Sequence, residues 1–96
     1  MESLYCRIYG RVQRVMFRDF ATRKARKCRI KGYVRNMVDG SVEAYGEGEG
    51  ESLERWLAYL HHGPILARVD HVNAKWGSLP PEDIRLQPFD SFDIVF

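Results

Sequence analysis

The stretch LYCRIYGRVQRVMFRDFATRKARKC, residues 4–28, decides the fold because one periodicity replaces another within it. Apolar residues first alternate with polar or aromatic ones from Leu4 to Tyr9, and Gly10 ends the run, which predicts a strand with one buried face. From Phe17 onward the apolar residues fall at helical spacing, and Arg and Lys fill the opposite side. The stretch therefore predicts a strand, a short loop and a helix of about three turns.

The rest of the chain continues with further strands and one more helix. The predicted elements are a hairpin of residues 30–36 and 41–47 around Asp39-Gly40, a helix over residues 52–62 ended by Gly63-Pro64, a strand over 69–76, a loop at Pro80-Pro81 and a strand over 89–96. The order is βαββαβ, with one further strand when both terminal segments are counted, and it predicts an α+β, ferredoxin-like split βαβ sandwich: an antiparallel sheet with two helices on one face. We expect a single domain over residues 1–96. Because this fold serves many functions, the function has to be inferred from the site.

Charge is distributed unevenly along the chain. Residues 1–36 contain 11 Lys or Arg and only two acidic residues, whereas residues 37–96 contain four Lys or Arg and 11 acidic residues. An anionic partner would therefore meet the first half, although a run of charge is often only a solvated face. No apolar stretch reaches the roughly 20 residues of a membrane span, and the first residues lack the layout of a secretory signal. We expect a cytoplasmic protein without a membrane partner.

The segment from Gly10 to Arg18 predicts an anion site because it leads from a strand end directly into a helix. Free backbone N–H groups and the positive end of the helix dipole favour an anion there. Arg18 lies in the first helical turn, where an unpaired cation is unfavourable by a few tenths to about 1 kcal/mol. A bound phosphate would reverse that sign, since guanidinium is a planar fork of donors that matches two phosphate oxygens. The alternative is a solvated arginine.

Asn36 follows the second strand and precedes the Asp39-Gly40 turn. It is either an ordinary turn residue or an amide that positions a water molecule. In a split βαβ sheet this strand end could approach the loop that begins at Gly10, but spacing alone does not establish the contact.

Two blocks of sequence carry a resemblance to a known family. The first is Gly10-Arg11-Val12-Gln13 with Val15, Phe17 and Arg18, and the second is residues 32–36 followed by residues 39–43 and Glu47-Gly48. Both are similar to the signatures of the acylphosphatases, in the same order and at the expected separation. Gly63-Pro64, Ala67 to Val69 and the ending Phe89-Asp90-Ser91-Phe92 also resemble family features, so that the resemblance covers nearly the whole chain.

The resemblance implies a metal-independent hydrolase of acyl phosphates. Arg18 matches the family's phosphate-binding arginine and Asn36 its water-positioning asparagine, and these are the two expected catalytic residues. The backbone amides that would hold the phosphoryl oxygens belong to Gln13, Arg14, Val15, Met16, Phe17 and Arg18. Because a carboxylate is a good leaving group, holding the phosphoryl group and aligning one water could suffice. We expect a monomer that uses no cofactor or metal and releases inorganic phosphate.

The sequence departs from the family pattern at Arg14 and Arg29, where the family commonly has Gly. If these positions need positive φ, each side chain costs on the order of 1 to 3 kcal/mol. One rival reading is therefore a homologue that binds phosphate but has impaired catalysis. A second is a nucleic-acid module, because RNA-recognition domains share the βαββαβ order; against it, Arg35-Asn36 replaces the aromatic residue of their sheet motif. We expect no nucleic-acid partner.

Overall fold

The seven elements of the fold follow the predicted order. In the computed structural model, residues 1–84 and 89–96 are described. The elements are β1 (Glu2–Arg11), α1 (Phe17–Lys27), β2 (Lys31–Asn36), β3 (Val42–Gly48), α2 (Gly50–His62), β4 (Arg68–Trp76) and β5 (Phe92–Ile94). In this described part, no helix has the length and apolar character needed to cross a membrane.

The strands form one sheet in the order β4-β1-β3-β2-β5. All neighbours are antiparallel except β2 and β5, which run parallel with Gly32 opposite Phe92. The sheet is therefore mixed and not wholly antiparallel as predicted, because the C-terminal segment reaches the edge opposite β4 and runs there in the direction of β2. The predicted strand over residues 89–96 is also shorter, since Phe89 stacks on Tyr33 with ring centroids 5.8 Å apart and does not extend β5.

The main core lies between the sheet and the two helices, which pack against each other and on the same side of the sheet. Trp56 of α2 is fully buried, and its indole Nε1 donates a hydrogen bond to the Ala21 carbonyl of α1 at 3.1 Å. Gly46 provides the space for this ring, because a Cβ at that position would lie 2.8 Å from Trp56 Cζ3. The helical and strand periodicities of the sequence both point into this layer.

The opposite face of the sheet is covered over β2 and β3. Glu43 is only 2% exposed, and its carboxylate accepts hydrogen bonds from the hydroxyls of Tyr5 and Tyr33 at 2.6 and 2.7 Å. Arg35 Nε donates to the same carboxylate at 2.7 Å, and another Arg35 nitrogen donates to Asp83 at 2.6 Å. Burial and the bond to Glu43 raise the pKa of Tyr33. The segment after β4 therefore provides a second, partly polar layer.

Helix α1 ends in a motif that normally contains glycine. The Ile30 N–H donates to the Ala25 carbonyl at 2.9 Å, and the Arg29 N–H donates to the Arg26 carbonyl at 3.1 Å, which is the Schellman arrangement. Arg29 occupies the left-handed position with φ 58°. The sequence analysis predicted strain at Arg29 if this position has positive φ, and it does.

Candidate active site

The loop between β1 and α1 has an unusual backbone. Arg14 and Met16 both have φ 63°, whereas the residues at its two ends, Val12 and Phe17, are each 1% exposed and anchor it in the core. Left-handed residues in a turn direct neighbouring N–H groups toward a common point and create a concavity for an anion. The sequence analysis predicted backbone strain at Arg14 if its φ is positive, and this condition holds. The sequence did not predict the same conformation at Met16.

Helix α1 begins directly at this loop without a side-chain cap. Met16 is its N-terminal cap residue and makes no capping hydrogen bond through its side chain. The first N–H groups of a helix have no acceptor within the helix, so those of α1 remain available to an anion. The local structure agrees with the expected anion site at this helix start.

A pocket of about 240 Å³ lies beside the loop. It is lined by Val12, Arg14, Met16, Phe17, Arg18, Asp19, Asn36 and Ile94. Asn36, the last residue of β2, therefore lines the same pocket as Arg18 of α1. In the sequence, 17 residues lie between the two. Asn36 and residues of the β1–α1 loop therefore lie around one pocket, which is the proximity that spacing left open.

Asn36 brings an unsatisfied acceptor to this pocket. Its Oδ1 atom is buried and accepts no hydrogen bond from the described residues. Buried polar atoms almost always have a partner in the protein or in ordered water. Asn36 therefore keeps a buried acceptor without a partner among the described residues, next to the pocket that it helps to line.

Arg14 and Arg18 bring unpaired cations. Within residues 1–84 and 89–96, neither guanidinium forms an ion pair. The nearby acid Asp19 is already engaged by Arg23 at 2.9 Å. Arg18 lies instead against the C-terminal aromatic ring, with its Cζ 5.0 Å from the centroid of Phe96. The pocket therefore has a positive lining that suits an anionic ligand.

The turn after Asn36 is held by polar contacts on both sides. Hydrogen bonds from the Ser41 hydroxyl and backbone N–H lower the pKa of the Asp39 carboxyl to about 2. Arg7 of β1 donates to Ser41 Oγ and also pairs with Asp39 at 3.1 Å. Gln13 of the loop donates to two carbonyls of the same turn. The end of β2 that carries Asn36 is consequently well fixed.

Comparison with known proteins agrees with this geometry. A family model described as Acylphosphatase matches residues 4–94. The chain belongs to the acylphosphatase family. The acylphosphatase of Thermococcus kodakarensis is 51% identical over 72 residues, which cover 75% of this chain and 79% of that protein. The acylphosphatase of Thermus thermophilus is 46% identical over 77 residues, which cover 80% of this chain and 88% of that protein.

A solved structure of the acylphosphatase family has the same fold over its full length. The crystal structure of acylphosphatase from Bacillus subtilis superposes with a TM-score of 0.87 and 29% identity, covering 100% of both chains. The predicted family and the ferredoxin-like fold class are thereby confirmed. The chain is an acylphosphatase-family hydrolase.

The predicted site residues divide into two groups. Arg14, Met16, Phe17, Arg18 and Asn36 line the pocket beside the β1–α1 loop. The side chains of Gln13 and Val15 do not: Gln13 bonds to the turn after Asn36, and Val15 packs against the core. The sequence did not point to three other residues at the pocket, which are Asp19, Ile94 and, against Arg18, Phe96, whereas Val12 belongs to the segment that predicted the anion site.

A larger cavity is less suited to the acylphosphatase substrate. It measures about 510 Å³ and is lined by Met1, Glu2, Ser3, Tyr45, Glu47, Gly77, Ser78 and Leu79. Its ionisable side chains include two carboxylates and no Lys or Arg, which is the wrong charge for a phosphate. The smaller pocket at the loop is therefore the candidate active site.

Proposed function

We propose that the protein hydrolyses acyl phosphates in the pocket between the β1–α1 loop and the end of β2. The backbone amides from Gln13 to Arg18 hold the phosphoryl oxygens, Arg18 neutralises their charge and Asn36 orients the attacking water. The observation that carries the proposal is that Arg18, which has no ion pair, and Asn36, whose buried Oδ1 has no hydrogen-bond partner among the described residues, line the same pocket.

Three features of the loop suit the binding of a phosphoryl group. Arg18 is unpaired with any acid of the described chain, and two left-handed residues and an uncapped helix start lie beside it. A dianionic phosphoryl group would satisfy the free N–H groups and reverse the unfavourable placement of Arg18 near the positive end of α1. Guanidinium can donate to two of its oxygens at once.

Asn36 would orient the attacking water molecule. Its Oδ1 can accept one hydrogen bond from water and turn a lone pair of that water toward phosphorus. As the water oxygen bonds to phosphorus, the bond from phosphorus to the acyl oxygen breaks and its electron pair leaves on the carboxylate. The proton of the water is released with inorganic phosphate. Positioning and charge stabilisation provide the catalysis, with no covalent intermediate.

The remaining expectations are part of the same proposal. We propose a single-domain, monomeric, cytoplasmic enzyme that acts without a nucleic-acid partner, a metal or a cofactor.

A phosphate-binding homologue with impaired catalysis remains the second candidate. It is favoured by one observation, namely that Arg14 lines the pocket in a left-handed conformation that non-glycine residues rarely adopt. In that case the loop would bind phosphate without accelerating hydrolysis.

Benzoyl phosphate hydrolysis without added metal tests the proposal. Removing Arg18 in Arg18→Ala should lower kcat/KM by about 100-fold or more and weaken inhibition by inorganic phosphate, because charged hydrogen bonds contribute about 1.5–3 kcal/mol each. Asn36→Ala should lower kcat with little change in phosphate inhibition. Arg55→Ala, which removes an exposed guanidinium from α2, is the matched control.

Two results would contradict the proposal. A wild-type rate no faster than buffer would favour the phosphate-binding homologue. Equal rates for Arg18→Ala and Arg55→Ala, with all proteins folded, would remove the role assigned to Arg18.

A further inference from the structure

The side chain of Gln13 connects the two halves of the proposed site. Its amide Nε2 donates to the Met37 carbonyl at 2.8 Å and to the Ser41 carbonyl at 2.9 Å. Gln13 immediately precedes Arg14 in the phosphate loop, and Met37 immediately follows Asn36. One amide group thus joins the loop that would hold phosphate to the strand end that would hold water.

The turn does not need these bonds for its own closure. The Met37 carbonyl also accepts the Gly40 N–H at 3.1 Å, and the Ser41 carbonyl also accepts the Met37 N–H at 2.8 Å. Both carbonyls therefore keep a backbone donor if the side chain of Gln13 is lost. What Gln13 adds is a fixed separation between the loop and the end of β2.

This separation matters because the Oδ1 of Asn36 accepts no hydrogen bond from the described residues. Without such a bond, the position of that buried oxygen depends on the packing around it and on the backbone next to Asn36. A displacement of about 1 Å between reacting groups can lower a rate by as much as 100-fold. The Gln13 contacts act on that backbone one residue after Asn36.

We infer that Gln13 is a positioning residue, whose side chain sets the place of the Asn36 amide relative to the phosphoryl group. The inference rests on the proposed function, since it assigns Gln13 an effect through Asn36. It predicts an effect on the chemical step and little effect on phosphate binding.

A double-mutant cycle on benzoyl phosphate hydrolysis tests the inference. Gln13→Met keeps the length of the side chain and removes both donors, and should lower kcat by roughly ten-fold. The inhibition constant of inorganic phosphate should stay within about two-fold of the wild type. In an Asn36→Ala background, Gln13→Met should cause no further loss of kcat, because the two residues act through one step.

Two further variants separate positioning from general stability. Gln13→Lys retains a donor for the two carbonyls and should keep kcat clearly above that of Gln13→Met. Ser3→Ala removes a side-chain to backbone bond of the same type, from Ser3 Oγ to the Ser78 carbonyl at 2.9 Å, at the far end of β1. It should leave kcat unchanged, and thermal unfolding of each variant shows that it is folded.

The outcomes distinguish this inference from the function on which it rests. If Asn36→Ala alone leaves kcat unchanged, the proposed role of Asn36 fails. If Asn36→Ala is impaired but the two losses multiply, or if phosphate inhibition weakens along with kcat, Gln13 acts on the phosphate cradle and the inference is overturned. Should Gln13→Met not fold, equal kcat for Gln13→Lys and the wild type supports the inference, and a Gln13→Lys loss that persists without Asn36 overturns it.

Discussion

Replacing Arg14 by glycine should stabilise the protein and increase its turnover. Arg14 has φ 63°, a conformation in which the Cβ of an L-residue crowds the following carbonyl. The side chain is exposed, and no hydrogen bond or ion pair within the described chain depends on it. Arg14→Gly therefore removes strain from the phosphate loop without removing a packing contact of the core.

The size of the effect follows from two opposing terms. Relief of the left-handed conformation contributes roughly 1–2 kcal/mol, and the greater freedom of glycine in the unfolded chain offsets about 0.4–1 kcal/mol of it. The free energy of unfolding should rise by about 0.5–1 kcal/mol, which for a domain of this size raises Tm by roughly 2–8 °C. If the same strain opposes the cradle shape of the loop, its relief increases kcat by at most about five-fold. KM should rise as well, because a cation leaves the pocket.

Arg29→Gly is the matched control because it relieves the same kind of strain elsewhere. Arg29 has φ 58° at the end of α1 and does not line the pocket. It should raise Tm by a similar amount and leave kcat unchanged. The assay is thermal unfolding of the three proteins together with steady-state hydrolysis of benzoyl phosphate.

Two results would refute this reasoning. A fall in turnover for Arg14→Gly would show that the guanidinium itself assists the reaction. An equal gain in turnover for Arg29→Gly would show that the gain comes from overall stability and not from the loop.

Two further changes test the core and the turn beside the site. Gly46→Ala places a methyl group 2.7 Å from Ile30 Cγ2 and 2.8 Å from Trp56 Cζ3. This overpacking should lower the free energy of unfolding by about 1–3 kcal/mol and Tm by at least about 4 °C. An unchanged Tm in a thermal unfolding experiment would contradict the packing described. Asp39→Asn should make the stability of the protein less dependent on acid pH. The pKa of the Asp39 carboxyl is about 2 in the folded protein and ordinarily 3.8. The ionised carboxylate therefore stabilises the fold above about pH 4, and this contribution is lost as the pH falls toward 2. Urea unfolding at several pH values measures the difference, and parallel curves for the two proteins would remove this role of Asp39.

Hydrophobic periodicity predicted those helices and strands whose buried face packs into the core between the sheet and the helices. Helix α1 begins at Phe17 as its apolar spacing indicated, and β1 alternates around Cys6 as expected. The second face of the sheet was not predicted, because alternation normally means one solvated face. Here Tyr33 and Tyr45 on that face are 1% and 2% exposed under the segment that contains Phe89.

The candidate site was predictable in its residue types more than in its geometry. Arg18 and Asn36 stood out by chemistry and by resemblance, but their common pocket depends on strand pairing that no local pattern encodes. The left-handed Met16 has no sequence signal, since a methionine favours neither the turn nor the conformation. Phe96 beside Arg18 likewise depends on where the last strand places the chain end.

The interior place of β1 in the sheet, between β4 and β3, links activity to the order of assembly. Leu4 pairs with Gly46 on one side and with Trp76 on the other, so that the strand made first finds its partners only after most of the chain exists. Such distant pairing makes folding slow relative to helical proteins of the same length. The phosphate loop continues directly from β1, so we expect it to take its final shape only when both neighbouring strands are in place. Recovery of hydrolysis during refolding would therefore report the last step of assembly and not an early collapse.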